Sequence, residues 1–417
     1  MQPASESRTK LFLSVFLIAI ATLNLISRTA TEYSFIIFIL AVIALSTLIK
    51  KEDLQLKNIF SRLNIEWQFT IWIFAIIASH LINRNLNESE ISEIGEYRWM
   101  LGIYPLVAAL LFTGVKRSGL RIFLLIISLM NLYFFIKYFL HPPIPGVLGY
   151  PSRLTGFYAS PTDFGHTLLF PFMLSLCFLL LPDKNRSVAQ FSIDVFITTI
   201  LTTNLLLSYT RSVQLACAIG TIILCFHLGR KYLISLIVVI TAFLAVSYAT
   251  NFLWMGNRIS FSLTPAKTYD TQRIHVIQGN WAVFLDNPIF GVGYHHNQKH
   301  LRSYYDKWNL PADTLQAHAH NQYLNLLAGT GLVGTLAYLF LMGTFLYFSW
   351  KNYKNASPNT FDQNLALTLF LILVSFVIAG LTDTNFELLP AKYYLLFAWG
   401  LILYQKQIFK AARKEAP

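Results

Sequence analysis

The sequence predicts an all-α, polytopic membrane protein. Two observations carry this: apolar residues fall in long uninterrupted stretches, and basic residues punctuate those stretches on alternate sides. Of 417 residues, 55% are hydrophobic and 12% charged, about half the charge of an average soluble domain, and mean hydropathy is +0.52. A run of about 20 apolar residues crosses the roughly 30 Å of hydrocarbon in a bilayer. The net charge of +12 does not point to nucleic acid, because the lysines and arginines are not gathered with aromatics on a soluble module.

Hydropathy places about twelve spans, near residues 11–27, 33–49, 67–83, 99–115, 119–140, 164–182, 190–208, 212–229, 232–250, 322–350, 363–381 and 388–406. The first follows Arg8 and Lys10 with no small-residue cleavage site after it. It therefore reads as a span and not as a signal peptide. Cys177, Cys217 and Cys225 all lie within apolar stretches, a placement that suits neither a disulfide framework nor zinc.

The loops set the orientation. Arg8/Lys10, Lys50/Lys51/Lys57/Arg62, Lys116/Arg117/Arg121, Lys184/Arg186, Arg230/Lys231, Lys351/Lys354 and Lys406/Lys410/Arg413/Lys414 share one side when alternate loops are counted. The positive-inside rule makes that side cytoplasmic, with both termini on it. The other face receives an acidic loop (Glu88, Glu90, Glu93, Glu96), a Pro/Gly-rich loop from His141 to Gly165, and short turns at Ser208–Arg211 and Thr382–Pro390. It also receives an insertion over residues 251–321, between the ninth and tenth spans of what is otherwise one integral membrane domain covering 1–417. Loops of that length are commonly functional. Within it, "TQRIHVIQGNWAVFL" (Thr271–Leu285) spaces Ile274, Ile277, Trp281 and Phe284 as one helix face, and "DNPIFGVG" closes it with a Pro/Gly turn. The expectation is an ordered lid on the outer membrane surface.

Candidate chemistry sits on that outer face. Arg211, in "SYTRSVQLA", either snorkels to the interface or turns inward, where its permanent charge and bidentate donors suit an anion. Arg273, on the lid helix, and Arg153, in "PSRLTGFYASPTDFG", are either solvated or part of the same anion site. Three arginines entering one vestibule would form a phosphate site.

His318 and His320, in "QAHAHNQYLNLLAGTGLVG", share a face if the segment is extended. Zinc would need further ligands than this pair, although His295, His296 and His300 are close in sequence. Alternatively the histidines are satisfied interfacial residues, or one is a neutral imidazole that accepts a proton from an attacking hydroxyl. Asn321 suits a helix N-cap. Asp163, Asp286 and Asp383 form no D-x-D pair, so a divalent ion gripping a diphosphate is not expected.

Four segments in order resemble the O-antigen ligase and polymerase superfamily of lipopolysaccharide biosynthesis. They are Thr210–Arg211, "QRIHVIQGNWAVFLDNPIFGVGYHHN" (Gln272–Asn297), "HAHNQYLNLLAGTGLVG" (His318–Gly334) and "GLTDTNFE" (Gly380–Glu387). In that family an arginine opens a helix running into an "hP-h-G-h-G" turn, and an "HN-x-x-L" element leads into a glycine-bearing span. The matching positions here are Arg273, Pro288, Gly291, Gly293, His320, Asn321 and Leu324. "RLTGFYASPTDFGH" (Arg153–His166) is similar to the family's "R-x-x-G-x-x-x-x-P-N" stretch, with Thr162 where asparagine is usual.

The resemblance implies a GT-C-type lipid glycosyltransferase fold in a bacterial inner membrane, with a large periplasmic loop and a periplasmic active site. It also implies an undecaprenyl-diphosphate-linked O-antigen as donor and glycan transfer with no metal or other cofactor. His320 or His318 would then act as general base for inverting attack, and Arg211, Arg273 and Arg153 would bind the diphosphate in place of a divalent ion. The chain length and the single large outer loop before His320 look more like a ligase, which transfers O-antigen to lipid A–core, than like a polymerase or an O-linked protein oligosaccharyltransferase. A lipid-linked glycan transporter, the alternative from another class, would show repeated halves and charges at mid-membrane depth.

Overall fold

The computed structural model describes residues 3–23, 36–42, 63–83, 96–140, 153–158, 160–183, 186–251 and 269–415. Among them every regular element is helical. The helices are α1 (Pro3–Leu23), α2 (Glu66–Ile82), α3 (Ile103–Thr113, entered through a 3-10 turn at Glu96–Gly102), α4 (Arg117–Leu140), α5 (Pro161–Leu180), α6 (Val188–Leu207), α7 (Arg211–Leu228), α8 (Arg230–Thr250), α9 (Tyr269–Asp286), α10 (Asn297–Lys307), α11 (Gln322–Asn355), α12 (Phe361–Ala379) and α13 (Leu389–Glu415). By length and composition, α4 to α8, α11 and α12 are seven helices able to cross a membrane, and Thr9–Ile20, Glu66–Ile82 and Trp99–Thr113 are shorter apolar helices. The chain is a multi-pass helical protein. Of the expected second span, 33–49, only residues 36–42 are described, and they are helical. Glu88, Glu90 and Glu93, the basic residues of 50–62, Lys184, and residues 141–152 and 252–268 lie outside the described residues.

Local sequence sets several helix starts. Ser160 accepts from the amides of Thr162 and Asp163, with Pro161 in the first turn of α5, and Ser187 with Gln190 forms a capping box on α6. Thr360 caps α12 and Asn321 caps α11 through side-chain oxygens. Orphan helix amides are thereby satisfied.

Long-range hydrogen bonds sort the helix ends into two groups. At one end, Arg117 pairs with Asp183 at 2.8 Å and Arg121 grips Asp194 through both oxygens at 2.8 and 3.1 Å. Asn364 of α12 donates to the Pro182 carbonyl, Arg413 of α13 donates to Asn355 at the end of α11, and Tyr353 of α11 meets His227 of α7. At the other end, Thr210 before α7 donates to the Pro161 carbonyl at the start of α5, and the Gln322 amide of α11 donates to Gly380 at the end of α12. Among the described residues, Arg117, Arg121, Arg186 and Arg413, which alternate-loop counting groups together, are at the first end. The core between the ends is aromatic-rich: Phe345 of α11 stacks on Trp399 of α13 at 4.4 Å, and Phe170 of α5 on Tyr394 of α13 at 5.2 Å.

α11 is broken at Gly331, whose φ of 65° and ψ of −163° are non-helical. The "hP-h-G-h-G" turn after α9 fills the break. Leu332 and Val333, which lose their intrahelical acceptors, donate to the carbonyls of Pro288 and Ile289, at 2.8 and 3.1 Å. In return the amides of Val292 and Gly293 donate to Ala328 and Gly329, at 3.1 and 2.9 Å. Turn and helix therefore complete each other's backbone bonding. A Cβ on Gly331 would come within 2.3 Å of the Ile289 carbonyl oxygen, and one on Gly291 (φ 62°) within 2.4 Å of Gly329. α2 seals the joint, with Ser79 donating to the Gly329 carbonyl and Asn83 to Gly291.

A helix forms over the expected segment as α9, and small residues set its buried face. Val276, Gly279, Asn280 and Val283 pack inward, while Ile274, Ile277 and Trp281 are exposed and Phe284 is half-buried. The reason is the partner: the inward face meets α10 and α11 through Leu301, Tyr305 and Ala328, with small Gly279 against Leu301. The larger apolar side chains are left facing away from the protein, an amphipathic arrangement suited to a membrane surface.

Candidate active site

The segment before α11 is held from both sides. Asn321 accepts from the Leu324 amide at 2.9 Å and donates to the Leu381 carbonyl at 2.9 Å, tying the α11 start to the turn between α12 and α13. Asn325, one turn in, accepts from the Ala319 amide and from Asn297 of α10, which also donates to Asn280 of α9, and itself donates to Glu387. Between these anchors His320 takes a left-handed conformation (φ 47°), and its amide donates to Nδ1 of His318 at 3.3 Å.

The result is a cluster. The His318 and His320 rings lie 4.4 Å apart, and one nitrogen of each and a carboxylate oxygen of Asp383 all fall within 4.8 Å of one another. Behind Asp383, His166 of α5 places Nε2 3.2 Å from Oδ2, and the Thr384 amide donates to Oδ1 at 2.9 Å. Two imidazoles and one carboxylate are also the donor set through which this site could take a divalent ion.

Electrostatics assign different states to these groups. Burial, then the neighbouring His318 and Arg273, push the His320 imidazole down to about 4 against the opposing pull of Asp383. It is therefore neutral at physiological pH, with a lone pair to offer. Burial raises Asp383, but the hydrogen bond and charge of His166, the Thr384 amide and His318 outweigh it and hold the carboxyl down at about 2. Glu387, deeper and with Oε2 3.7 Å from His295 Nδ1, is pushed up by burial to about 7 despite His318, Lys392 and Asn325.

The sequence-derived candidates fall as follows. His318 and His320 are together, and Arg273, exposed on α9, lies within electrostatic range of His320. Arg211 is the exposed first residue of α7, at the same end of the bundle: Thr210 beside it contacts α5 at Pro161 and Gly165, and α5 carries His166 to Asp383. Arg153 gives its Nε to the Ser208 carbonyl at 2.8 Å and an NH2 to the Thr210 hydroxyl at 2.9 Å, bracing the turn that presents Arg211.

His166 is a functional candidate that sequence spacing does not select, and Asp383, weighed from the sequence only as an outer-face acid, gains its role from that partner. They lie in two segments of family resemblance, but 217 residues separate the pair, and only the fold joins them. The polar chain Asn280–Asn297–Asn325–Glu387 beneath the histidines is likewise invisible to local pattern.

Residues 196–339 match a family model described as O-antigen ligase. The match supports an assignment to the O-antigen ligase family. It spans Arg211, Arg273, the turn at Pro288–Gly293, both histidines and the first half of α11 with its break at Gly331, the parts of the O-antigen ligase resemblance that the fold brings to one end. No curated protein matches the sequence.

Proposed function

We propose that the chain is a lipid-linked glycan transferase acting as an O-antigen ligase. It would transfer an undecaprenyl-diphosphate-linked O-antigen to a sugar hydroxyl of lipid A–core on the periplasmic face of the inner membrane. The observation that carries this reading is the neutral His320, flanked by His318 and Asp383, with Arg273 in electrostatic range.

In this mechanism His320 removes the proton of the acceptor hydroxyl as its oxygen attacks the anomeric carbon from the face opposite the diphosphate. The anomeric C–O bond breaks with inversion, and the diphosphate leaves carrying the electron pair. Asp383 steadies the imidazolium that forms, while Arg211 and Arg273 stabilise the charge developing on the leaving group. Arg153 acts through the turn it braces. No metal is assigned a step. The chain is one integral membrane domain of about twelve spans and GT-C type, with residues 251–321 as its periplasmic lid.

Deletion of the gene in its host, followed by electrophoresis of lipopolysaccharide, tests the reading. Loss of the whole O-antigen ladder with lipid-linked polymer accumulating is expected. Capping by a single repeat would mean a polymerase instead. On complementation, His320→Ala should lower transfer by about 10²–10⁴-fold, the usual contribution of a general base. Arg211→Ala and Arg273→Ala should impair use of the donor, with Lys rescuing each only in part because the bidentate fork is lost. A normal ladder with His320→Ala would remove the general-base role.

A further inference from the structure

A groove of about 710 Å³ opens between α1, the end of α3 and the start of α4, within the usual range of ligand pockets. Val15 and Ile18 line it from α1 and Gly119 and Ile122 from α4, while α5 and α13 contribute Phe170 and Phe397. α1 packs on α3, α4 and α13 with Leu13 and Leu17 buried, whereas Leu11, Val15 and Ile122 are each more than half exposed. The groove therefore opens to the side of the bundle, toward hydrocarbon. From Lys10 to Ile18 its α1 wall is roughly 12 Å long at 1.5 Å per residue, close to the hydrocarbon depth of one leaflet, half of about 30 Å.

The mouth of the groove is at the basic end of the molecule. Lys116 lines it next to Arg117, which pairs with Asp183 at that end. Lys10 lines it from the start of α1, its ammonium 5.4 Å from the centre of the Phe112 ring near the end of α3, a contact that draws the charge toward the bundle. Past the lysines the walls behave as apolar. Ser14 and Thr113 turn their hydroxyls onto the Lys10 and Ala109 carbonyls of their own helices, each at 2.8 Å. Among the described residues no acid lines the groove.

Any lipid would wet an apolar groove, but two cations contributed by different elements, with no acid between them, select an anionic headgroup. Basic pockets between helices on the cytoplasmic side take phospholipid heads in this way. The groove stands at the opposite end of the bundle from His320, so its occupant is not a reactant.

We infer that this groove holds an anionic phospholipid of the phosphatidylglycerol type, taken from the leaflet at the basic end. Its phosphodiester lies between Lys10 and Lys116, and its acyl chains run along α1 and α4. Occupying the open side of α1, the lipid fastens the first helix to the bundle, as a ligand that binds only the folded state does. This holds whatever reaction the chain performs.

The test uses the full chain, delipidated in detergent and titrated with phosphatidylglycerol or phosphatidylcholine, with bound lipid counted by native mass spectrometry. The first phosphatidylglycerol should bind about 25-fold more tightly than phosphatidylcholine, since each lysine near an anionic headgroup contributes about fivefold. Lys10→Gln and Lys116→Gln should each weaken it by about fivefold on the same basis. Gly119→Leu puts a side chain where a Cβ meets nothing within 4 Å and improves helix propensity, so it should displace the lipid without lowering the unfolding temperature of the delipidated protein. Lys354→Gln, at the same end but outside the groove, should bind as the wild type does. Equal binding of the two lipids, an equal loss with Lys354→Gln, or full binding by Gly119→Leu would overturn the inference.

Discussion

At the scale of single residues, His320 is neutral because burial, His318 and Arg273 oppose its protonation more than Asp383 favours it. An ordinary histidine base loses activity as pH falls through about 6.5. With its pKa held down at about 4, His320 keeps its lone pair across that range, so the acid limb of the transfer rate should lie near pH 4 to 5. Asp383→Asn removes the one charge that favours the imidazolium; transfer should fall by about 10²-fold and the acid limb move lower still. Initial rates between about pH 4 and 8 check both, and a limb near 6.5 in the wild type would contradict the assignment. The stability linkage has a matching sign. The unfolded histidine binds more protons than the folded one between about 4 and 6.5, so its contribution to stability is lost as pH falls across that window. Glu387, raised to about 7, acts oppositely, its contribution being lost as pH rises from its unfolded value through 7.

At the scale of elements, the site depends on the joint between broken α11 and the turn at Pro288–Gly293. Gly331→Ala puts a Cβ against the Ile289 backbone and forces a left-handed φ on an L-residue, which costs about 1–3 kcal/mol from strain alone. Thermal unfolding in detergent should drop by several degrees, and transfer should fall with it, because the break sits about two helical turns from Asn325, whose side chain anchors the histidine segment at Ala319. A Gly343→Ala control, where a Cβ meets nothing within 4 Å, should leave both unchanged. The joint also marks where sequence reading stopped. "NPIFGVG" reads as a turn from its Pro and Gly, and "LAGTGLVG" as the start of a span, yet neither pattern says that the two exchange backbone hydrogen bonds. The inward face of α9 is equally hidden from local pattern: hydropathy ranks Ile274, Ile277 and Trp281 above Gly279 and Asn280, but close packing and a buried asparagine network turn the smaller face inward.

At the scale of the whole molecule, helix placement was legible because apolar runs and caps are local, whereas the meeting of His166 with Asp383 depends on how three separate hairpins pack. The end opposite the site is locked by charge. Asp194 has a side chain 1% exposed and holds the part-buried Arg121 through two bonds, so Asp194→Asn should cost about 1.5–3 kcal/mol, the usual worth of a hydrogen bond to a charged group, whereas Arg121→Met with Asp194→Leu should recover most of it. Detergent unfolding curves distinguish the two cases, and equal loss in both would mean the pair contributes packing only. The same clustering of basic residues orients the chain. Lys354, exposed near the α11 C-terminus, stands with Arg413 and Asn355 at the basic end, and Lys307, exposed at the end of α10, belongs to the insertion beside the histidines. If short basic loops face the cytoplasm, Lys307→Cys in intact spheroplasts should react with a membrane-impermeant maleimide and Lys354→Cys only after lysis. The native thiols, all buried, leave the background low. The reverse pattern would put the histidine cluster on the cytoplasmic side, away from any acceptor displayed outside, and the ligase mechanism would fail with it.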